Sequence, residues 1–323
     1  MGITLVLVTA AGGAVDEVSL QALAQAREFD AAGDVHALVL SDGPEATTAA
    51  DLGAWGATRI HIARHEAPGT FAPDAWARVV DDLAEQLGAG LVLGPGTDRG
   101  NTVLARAAAR RGLPFAANCT RVTAGNPVTV TRSRWGGSLL ERAAVHAGRV
   151  IASVAPHAVH ATRRDGTAPV EILAPSLDES DLAVRPVARI PTPPGGISLA
   201  DARVVVSGGR GAGSADGFQP IEELATLLGA AVGCSRAVTI AGWRPHTMQV
   251  GQTGARIAPD LYIACGISGA SQHLAGCRGA KRILAVNKDP DAPIMAAADA
   301  AVIGDLHQVL PAISAAIRRG RGA

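Results

Sequence analysis

The segment Gln249–Gly254, QVGQTG, combines two amides and one hydroxyl with two glycines, and it contains no acid, base, thiol or metal ligand. Such a segment cannot transfer protons, but its amides and hydroxyl can orient a bound ligand while glycine lets the backbone approach that ligand closely. The alternative is a tight turn whose amide side chains bond to the neighbouring backbone. Spacing alone leaves both interpretations open.

A second glycine-rich segment, Ser207–Gly213, follows the predicted strand Arg203–Ser207. It departs from the GxGxxG dinucleotide fingerprint because Ser214 stands where the third glycine is required. Its backbone N–H groups could cradle a phosphate, with Arg210 adding positive charge, or they could simply shape a turn. The pattern favours neither interpretation.

The segment Gly266–His273, GISGASQH, follows the predicted strand Leu261–Cys265 and leads into a helix. Ser268 can cap this helix, whose free N–H groups would attract a pyrophosphate. The alternative is a plain capping motif in which His273 is an ordinary helix residue.

Other patterns give no evidence for nucleophilic or metal chemistry. His157 and His160 form an HxxH pair, but no nearby cysteine or carboxylate completes a metal set. No GxSxG motif occurs, and the four cysteines form no CxxC pair. Arg236, which follows a small-residue segment, is in isolation typical of a surface ion pair. We therefore expect neither a catalytic residue nor a metal site.

The elements that must position these segments alternate between strand and helix. In the first part of the chain this alternation predicts a parallel sheet covered on both faces. The predicted strands are Ile3–Thr9, Ala37–Leu40, Arg59–Ala63, Leu91–Leu93, Val128–Thr131 and Arg149–Val154. The predicted helices are Val18–Ala31, Pro44–Leu52, Ala75–Leu87 and Asn101–Arg111.

A proline-rich stretch divides the chain. Arg185–Gly196 contains four prolines and two glycines, which predicts an extended connector. We expect an N-terminal α/β domain at residues 1–190, a linker at 191–200 and a second domain at 201–323. In the second domain, four predicted strands lead into Gly, Asn or Asp. Because open α/β sheets bind ligands at the carboxyl ends of their strands, this domain is predicted to hold the ligand.

Composition narrows the class of protein. The chain has 323 residues, 48% of them hydrophobic, and its 29 basic and 29 acidic residues balance. This balance argues against a nucleic-acid-binding protein, which would show a basic excess. No apolar run approaches the length of a membrane span, and the N-terminus has no basic region typical of a signal peptide. We interpret the four cysteines as reduced thiols and expect a cytoplasmic protein.

The order of the motifs is more specific than any one of them. VVVSGGRG, GCSRA, MQVGQTG, IAPDLYIACGISGASQHLAG, AVNKDPDAPI and GDL follow one another across Val204–Leu306. This order closely resembles the alpha subunit of electron transfer flavoprotein, and LVLGPGTDRGNTVLARAAARRGLP resembles the N-terminal domain of that family. Local departures are Cys234, Arg244 and His246. The resemblance implies an α/β fold with two domains: an N-terminal parallel-sheet, nucleotide-binding-like domain and a C-terminal doubly wound FAD-binding domain.

The resemblance also implies which residues hold one FAD. Arg210 would lie near the flavin, Arg236 against the isoalloxazine, and Thr253 at its N5 edge. His273 would donate toward the O2 side, and Asp305 would accept a hydrogen bond at the adenosine end. The full set of implied cofactor-binding residues is Arg210, Ser235, Arg236, Gln249, Val250, Gly251, Gln252, Thr253, Gly254, Ser268, Gly269, Ala270, Ser271, Gln272, His273, Asn287, Asp305 and Leu306.

The partners implied by the resemblance are a beta subunit, which usually carries AMP, flavin dehydrogenases as electron donors and a quinone reductase as acceptor. The expected role is an electron carrier rather than an enzyme. Two alternatives stay open: a subunit of a flavin-based electron-bifurcating complex that uses NADH, and a non-redox nucleotide-binding module.

Overall fold

The computed structural model of the chain describes residues 2–11, 14–41, 50–64, 71–134, 139–185, 199 and 202–321. Contacts divide the chain into an N-terminal unit, Met1–Ile190, and a C-terminal unit, Pro191–Ala323. The linker predicted at residues 191–200 lies, apart from Leu199, outside the described residues. Most of the helix predicted over Pro44–Leu52 also lies outside them, and a 3₁₀ helix occupies Ala50–Trp55.

The N-terminal unit is built on a ten-stranded sheet among the described residues. Its strands are β1 Thr4–Ala11, β2 Ala14–Val15, β3 Val35–Ser41, β4 Arg59–Ala63, β5 Leu91–Pro95, β6 Phe115–Thr123, β7 Val128–Arg134, β8 Leu139–Val145, β9 Val150–Val154 and β10 Val170–Leu173. The strand order is β10-β4-β3-β1-β5-β9-β6-β7-β8, with β2 paired to β1. Its helices are α1 Glu17–Phe29, α2 Pro73–Gln86 and α3 Asp98–Arg110.

Alternate residues of the central strand β1 enter two different cores. Val6 and Val8 pack with α1 on one face, whereas Leu5 and Leu7 pack with α2 and α3 on the other. Burial on both faces explains why the strand is continuously apolar, as parallel sheets covered by helices require. The α/β fold with a mainly parallel sheet is therefore confirmed.

The far edge of this sheet differs from the parallel arrangement expected. β7 pairs antiparallel with both β6 and β8, and the sequence analysis did not predict β6, β8 or β10. β8 alternates between exposed and half-buried residues, and Leu140 is exposed. Strands with a solvent-exposed face contain fewer apolar residues than parallel strands that are buried on both faces. The apolar pattern of the sequence therefore did not predict β8.

The C-terminal unit contains a five-stranded parallel sheet in the order β12-β11-β13-β14-β15. Its strands are β11 Val204–Gly208, β12 Ala231–Cys234, β13 Leu261–Cys265, β14 Ile283–Asn287 and β15 Ala300–Ile303. Its helices are α4 Gln219–Leu228, α5 Arg236–Ile240, α6 Ser271–Cys277, α7 Pro293–Ala297 and α8 Leu306–Gly320. One core packs against α4 and α8, and a second packs against α6 and α7, so this unit is doubly wound.

All four cysteines are free and buried: Cys119 in the N-terminal unit, and Cys234, Cys265 and Cys277 in the C-terminal unit. Burial raises the pKa of the Cys119 and Cys265 thiols to about 12 and that of Cys234 and Cys277 to about 11. The thiols therefore stay protonated at neutral pH. Within the described ranges, none of the helices has the length and apolarity that crossing a bilayer demands.

Candidate functional site

Loops at the carboxyl ends of the C-terminal sheet enclose a cavity of about 480 Å³. The chain reverses direction across the sheet between the neighbouring strands β11 and β13, and open α/β sheets bind ligands outside such a switch point. The cavity volume lies in the usual range for small-molecule sites. The cavity therefore occupies the position at which this topology places a ligand.

Most of the residues implied by the family resemblance line this cavity. They are Arg210, Ser235, Arg236, Gln249, Val250, Gly251, Gln252, Thr253, Ser268, Gly269, Ala270, Gln272, His273 and Asn287. The lining also includes residues that the sequence analysis did not select: Gly211, Ala237, Gly266, Ile267, Asp289 and Ala292. Of these only Asp289 carries a charge, and its position just after β14 was the available signal.

Four implied residues lie outside the cavity lining. Gly254 packs against the backbone of Gln249, and Ser271 is the first residue of α6. Asp305 caps α8 by accepting a hydrogen bond from the His307 N–H, and it pairs with a lysine at 2.9 Å. Leu306 is buried in the core beside α8. A direct contact of these four residues with a ligand remains a prediction.

The expectation that Ser268 caps the helix after GISG is wrong. The residue at the N-cap of α6 is Ala270, and it makes no side-chain capping bond. Ser268 instead accepts a hydrogen bond at its carbonyl from the Ile294 N–H, while its side chain is exposed at the cavity. Its hydroxyl is therefore placed for a ligand rather than for the helix.

Close backbone contacts between glycines form the walls of the cavity. A Cβ at Gly209 would lie 2.2 Å from the Gly266 carbonyl oxygen, and one at Gly276 would lie 2.3 Å from the Gly251 nitrogen. Gly266 has a φ of +61°, which side-chain-bearing residues rarely adopt. Glycine is therefore required in these turns because the loops contact one another through their backbones, whether or not a ligand also contacts them.

The two amides of QVGQTG have different environments. Gln249 is 2% exposed; its Oε1 accepts from the Thr239 hydroxyl at 2.7 Å, and its Nε2 donates to the Thr253 hydroxyl oxygen at 3.0 Å. Gln252 is exposed at the cavity. Because the Thr253 oxygen already accepts a hydrogen bond, its O–H remains available to donate to a ligand. Gln249 therefore orients Thr253, whereas Gln252 can contact a ligand itself.

His273 lies at the inner wall of the cavity with 7% of its surface exposed. Its Nε2 is 2.7 Å from the Tyr262 hydroxyl, whereas its Nδ1 has no hydrogen-bond partner among the described residues. Burial lowers the pKa of His273 to about 4, and the nearby Val250 carbonyl opposes this shift more weakly. The imidazole is therefore neutral at physiological pH and offers a dipole rather than a charge.

The buried imidazole predicts a loss of stability in mild acid. The pKa of His273 is about 4 in the folded state and 6.5 in the unfolded state, so the unfolded state binds more protons below pH 6.5. The free energy of unfolding is therefore highest above pH 6.5 and decreases as the pH falls toward 4. Between pH 7.5 and 5.5, we expect the free energy of unfolding of the C-terminal unit to fall by about 1 kcal/mol. Urea titrations at both pH values measure this difference in the free energy of unfolding. The control is His273→Gln, in which the difference should disappear. An equal difference in the variant would contradict the assignment to His273.

Two arginines give the cavity a positive edge. Arg210 and Arg236 are exposed lining residues, and no carboxylate in the described part of the chain pairs with either side chain. Asp289 lies in the lining near Asn287, where it can accept hydrogen bonds from hydroxyl or amine groups. Among the described residues no cluster of His, Cys, Asp or Glu is suited to a metal ion. The site thus suits an anionic organic ligand with polar ends.

Arg244, which departs from the family pattern, makes its contacts within the C-terminal unit. Its guanidinium pairs with Glu222 and lies over the Phe218 ring at 4.3 Å from the centroid. His246, the second departure, begins an exposed 3₁₀ turn. Cys234, the third, is buried at the end of β12.

Comparison with known proteins agrees with this arrangement. A family model described as "Electron transfer flavoprotein domain" matches residues 4–179, and one described as "Electron transfer flavoprotein FAD-binding domain" matches residues 198–278. The electron transfer flavoprotein subunit alpha of Mycobacterium leprae (strain TN) is 37% identical, with 100% of both chains covered. The subunit alpha of Bacillus subtilis (strain 168) is 35% identical over 94% of this chain and 93% of that protein. The subunit alpha of Mycobacterium tuberculosis (strain CDC 1551 / Oshkosh) is 38% identical over the full length of both.

The matches cover both units, and the FAD-binding model includes the loops that carry Arg236, Thr253 and His273. The cavity at the switch point supplies an independent structural reason for a bound cofactor in the second unit. The chain therefore belongs to the alpha-subunit family of electron transfer flavoproteins, and its C-terminal unit is the FAD-binding domain.

Proposed function

We propose that this chain is the alpha subunit of a heterodimeric electron carrier that takes electrons from flavin dehydrogenases and delivers them to a quinone reductase or another acceptor. The observation that supports this most is the cavity at the β11/β13 switch point, which is lined by amides, hydroxyls, glycine backbone and two arginines without carboxylate partners. The N-terminal unit would pack against a beta subunit that carries AMP. The free cysteines fit a cytoplasmic location.

The residues at the cavity fit FAD. The orphaned Nδ1 of buried His273 needs an acceptor that the described residues do not supply, and flavin carbonyls are acceptors. The N–H groups of Gly209, Gly211, Ala212 and Gly213 bond to backbone carbonyls, so the turn that holds Arg210 would offer a diphosphate the positive charge of that arginine. Asn287 and Asp289 would face the adenosine end, and so would Asp305 and Leu306 if they move into contact.

FAD supplies the electron-accepting ring, and the protein supplies position and electrostatics. The Arg236 guanidinium is a cation, so it would stabilise negative charge placed beside it. The Thr253 hydroxyl, held by Gln249, would donate to an acceptor on the ring edge. His273 stays neutral, since its pKa is about 4. These side chains can therefore hold a redox cofactor without exchanging protons with it near neutral pH.

The cofactor content of the purified heterodimer tests this function. Co-expression of the chain with a beta subunit should give a yellow complex containing one FAD and one AMP. Extraction and chromatography of the bound nucleotides measure both. A dehydrogenase substrate should then reduce the flavin only when the matching dehydrogenase is present.

Other outcomes point to specific alternatives. Two FAD molecules per heterodimer without AMP, together with reduction by NADH, would replace the carrier with an electron-bifurcating complex. A colourless complex that nevertheless binds nucleotides would indicate a non-redox module. The deciding residues for the first alternative belong to the partner chain, so the assay must use the heterodimer.

A further inference from the structure

The hydrogen bond between Tyr262 and His273 joins the central strand of the C-terminal sheet to the cavity wall. Tyr262 lies on β13 and is fully buried in the core beside α6 and α7. Its hydroxyl oxygen is 2.7 Å from Nε2 of His273, which lies on α6 and lines the cavity. We propose that Tyr262 is a positioning residue that donates to Nε2 of His273 and thereby fixes the proton of the neutral imidazole on Nδ1, where it can donate to bound FAD.

The direction of this hydrogen bond follows from the two groups. A phenol is the more acidic partner and a neutral imidazole nitrogen is the better acceptor, so the tyrosine donates. Burial raises the pKa of Tyr262 well above its usual value, and the buried thiols of Cys277, Cys265 and Cys234 add to the shift, whereas the nearby Ser207 hydroxyl opposes it. The phenol therefore keeps a proton that it can donate, and donation to the better acceptor makes Nε2 of His273 the unprotonated nitrogen.

The other ring nitrogen then becomes the donor. Nδ1 of His273 is buried and makes no hydrogen bond within the part of the chain that the structure describes. The Val250 carbonyl raises the pKa of His273 against the larger effect of burial, but it makes no hydrogen bond of ordinary geometry to Nδ1. A buried N–H without an acceptor is costly, so an acceptor of the bound cofactor is the missing partner.

The opposite tautomer would present a lone pair at Nδ1. That lone pair would repel the carbonyl acceptors of a flavin, so FAD binding would depend on which nitrogen carries the proton. Among the described residues, Tyr262 makes the side-chain hydrogen bond to Nε2 that can select the tautomer. Tyr262, which does not line the cavity, would thus determine how His273 binds FAD. This inference rests on the proposed function.

The tautomer can be read directly by ¹⁵N NMR of the heterodimer labelled at histidine. In the natural protein, His273 should show a protonated Nδ1 and an unprotonated Nε2, both with FAD and after its removal. Tyr262→Phe should give a mixture of tautomers, whereas Ser314→Ala, which removes a buried hydroxyl on α8, should leave the tautomer unchanged. A protonated Nε2 in the natural protein would overturn the proposal, even if the phenylalanine variant did not fold.

A cycle of variants tests whether Tyr262 acts through His273. Tyr262→Phe should raise the dissociation constant of FAD about fivefold, as expected for one hydrogen bond, and should shift the flavin midpoint potential. In the His273→Gln background the same change should have no further effect on either quantity. Equal effects in both backgrounds would show that Tyr262 is only structural. Absence of flavin from the complex would contradict the proposed function instead, and the tautomer measurement would still decide the role of Tyr262.

Discussion

Replacing Arg236 with alanine should lower the midpoint potential of the bound flavin. The guanidinium lies at the cavity edge, carries a permanent positive charge and has no carboxylate partner among the described residues, so its field acts on the ligand. Because Arg236 is exposed, solvent weakens this field, and we expect a shift on the order of 50 mV. Potentiometric titration of the heterodimer, followed by flavin absorbance, measures the change.

Arg203 supplies the matched control for this charge change. It lies just before β11, at the amino end of the sheet, and pairs with Asp260. Arg203→Ala removes the same charge from the same unit, far from the carboxyl edge, and should leave the potential almost unchanged. Arg236→Lys, which keeps the charge but loses the planar group, should fall between the natural protein and Arg236→Ala. Equal shifts for Arg203→Ala and Arg236→Ala would remove the specific role of Arg236.

Replacing Gly276 with alanine should destabilise the C-terminal unit, although alanine is the better helix former. Gly276 lies inside α6, where alanine would ordinarily gain about 1 kcal/mol. Its Cβ would lie 2.3 Å from the Gly251 nitrogen and 2.4 Å from the Gly251 Cα. Because both atoms are backbone, the helix and the QVGQTG loop must separate, and we expect a loss of about 2 kcal/mol in the free energy of unfolding.

Gly320 provides the comparison that isolates this contact. It ends α8, and a Cβ there would meet nothing within 4 Å. Gly320→Ala should therefore leave stability unchanged or raise it by a few tenths of a kcal/mol. Urea unfolding measures both variants, and Gly276→Ala should also weaken FAD binding because the loop carrying Thr253 is displaced. A gain in stability for Gly276→Ala would contradict the close contact between α6 and the loop.

Strand and helix alternation was sufficient to predict the α/β fold, because buried parallel strands such as Leu91–Pro95 form continuous apolar runs between amphipathic helices. The antiparallel strand β8 could not be predicted in the same way, since its residues are exposed or half-buried and its partner is set by the sheet edge. The order of the motifs identified the family, which neither periodicity nor composition could do.

Side-chain roles inside the site depended on contacts that the sequence does not show. Gln249 and Gln252 are equivalent in QVGQTG, but only Gln249 meets Thr239, which lies ten positions earlier, and is buried by that contact. Gly276 is an ordinary helix residue in the pattern, and its importance comes from Gly251 across the loop. In the sequence, Tyr262 is an ordinary residue of an apolar strand. Its role follows from the hydrogen bond between its hydroxyl and His273, which the sequence does not show.

The distribution of the buried thiols makes the two units separately observable. One cysteine lies in the N-terminal unit and three lie in the C-terminal unit. Since all four are shielded and protonated, a thiol-specific reagent can react only after the surrounding unit opens. The number of labels added to the intact chain, read by mass spectrometry, therefore distinguishes opening of the N-terminal unit, which adds one, from opening of the C-terminal unit, which adds three. Chemical labelling in the presence and absence of cofactor thus reports which half of the chain the cofactor holds closed.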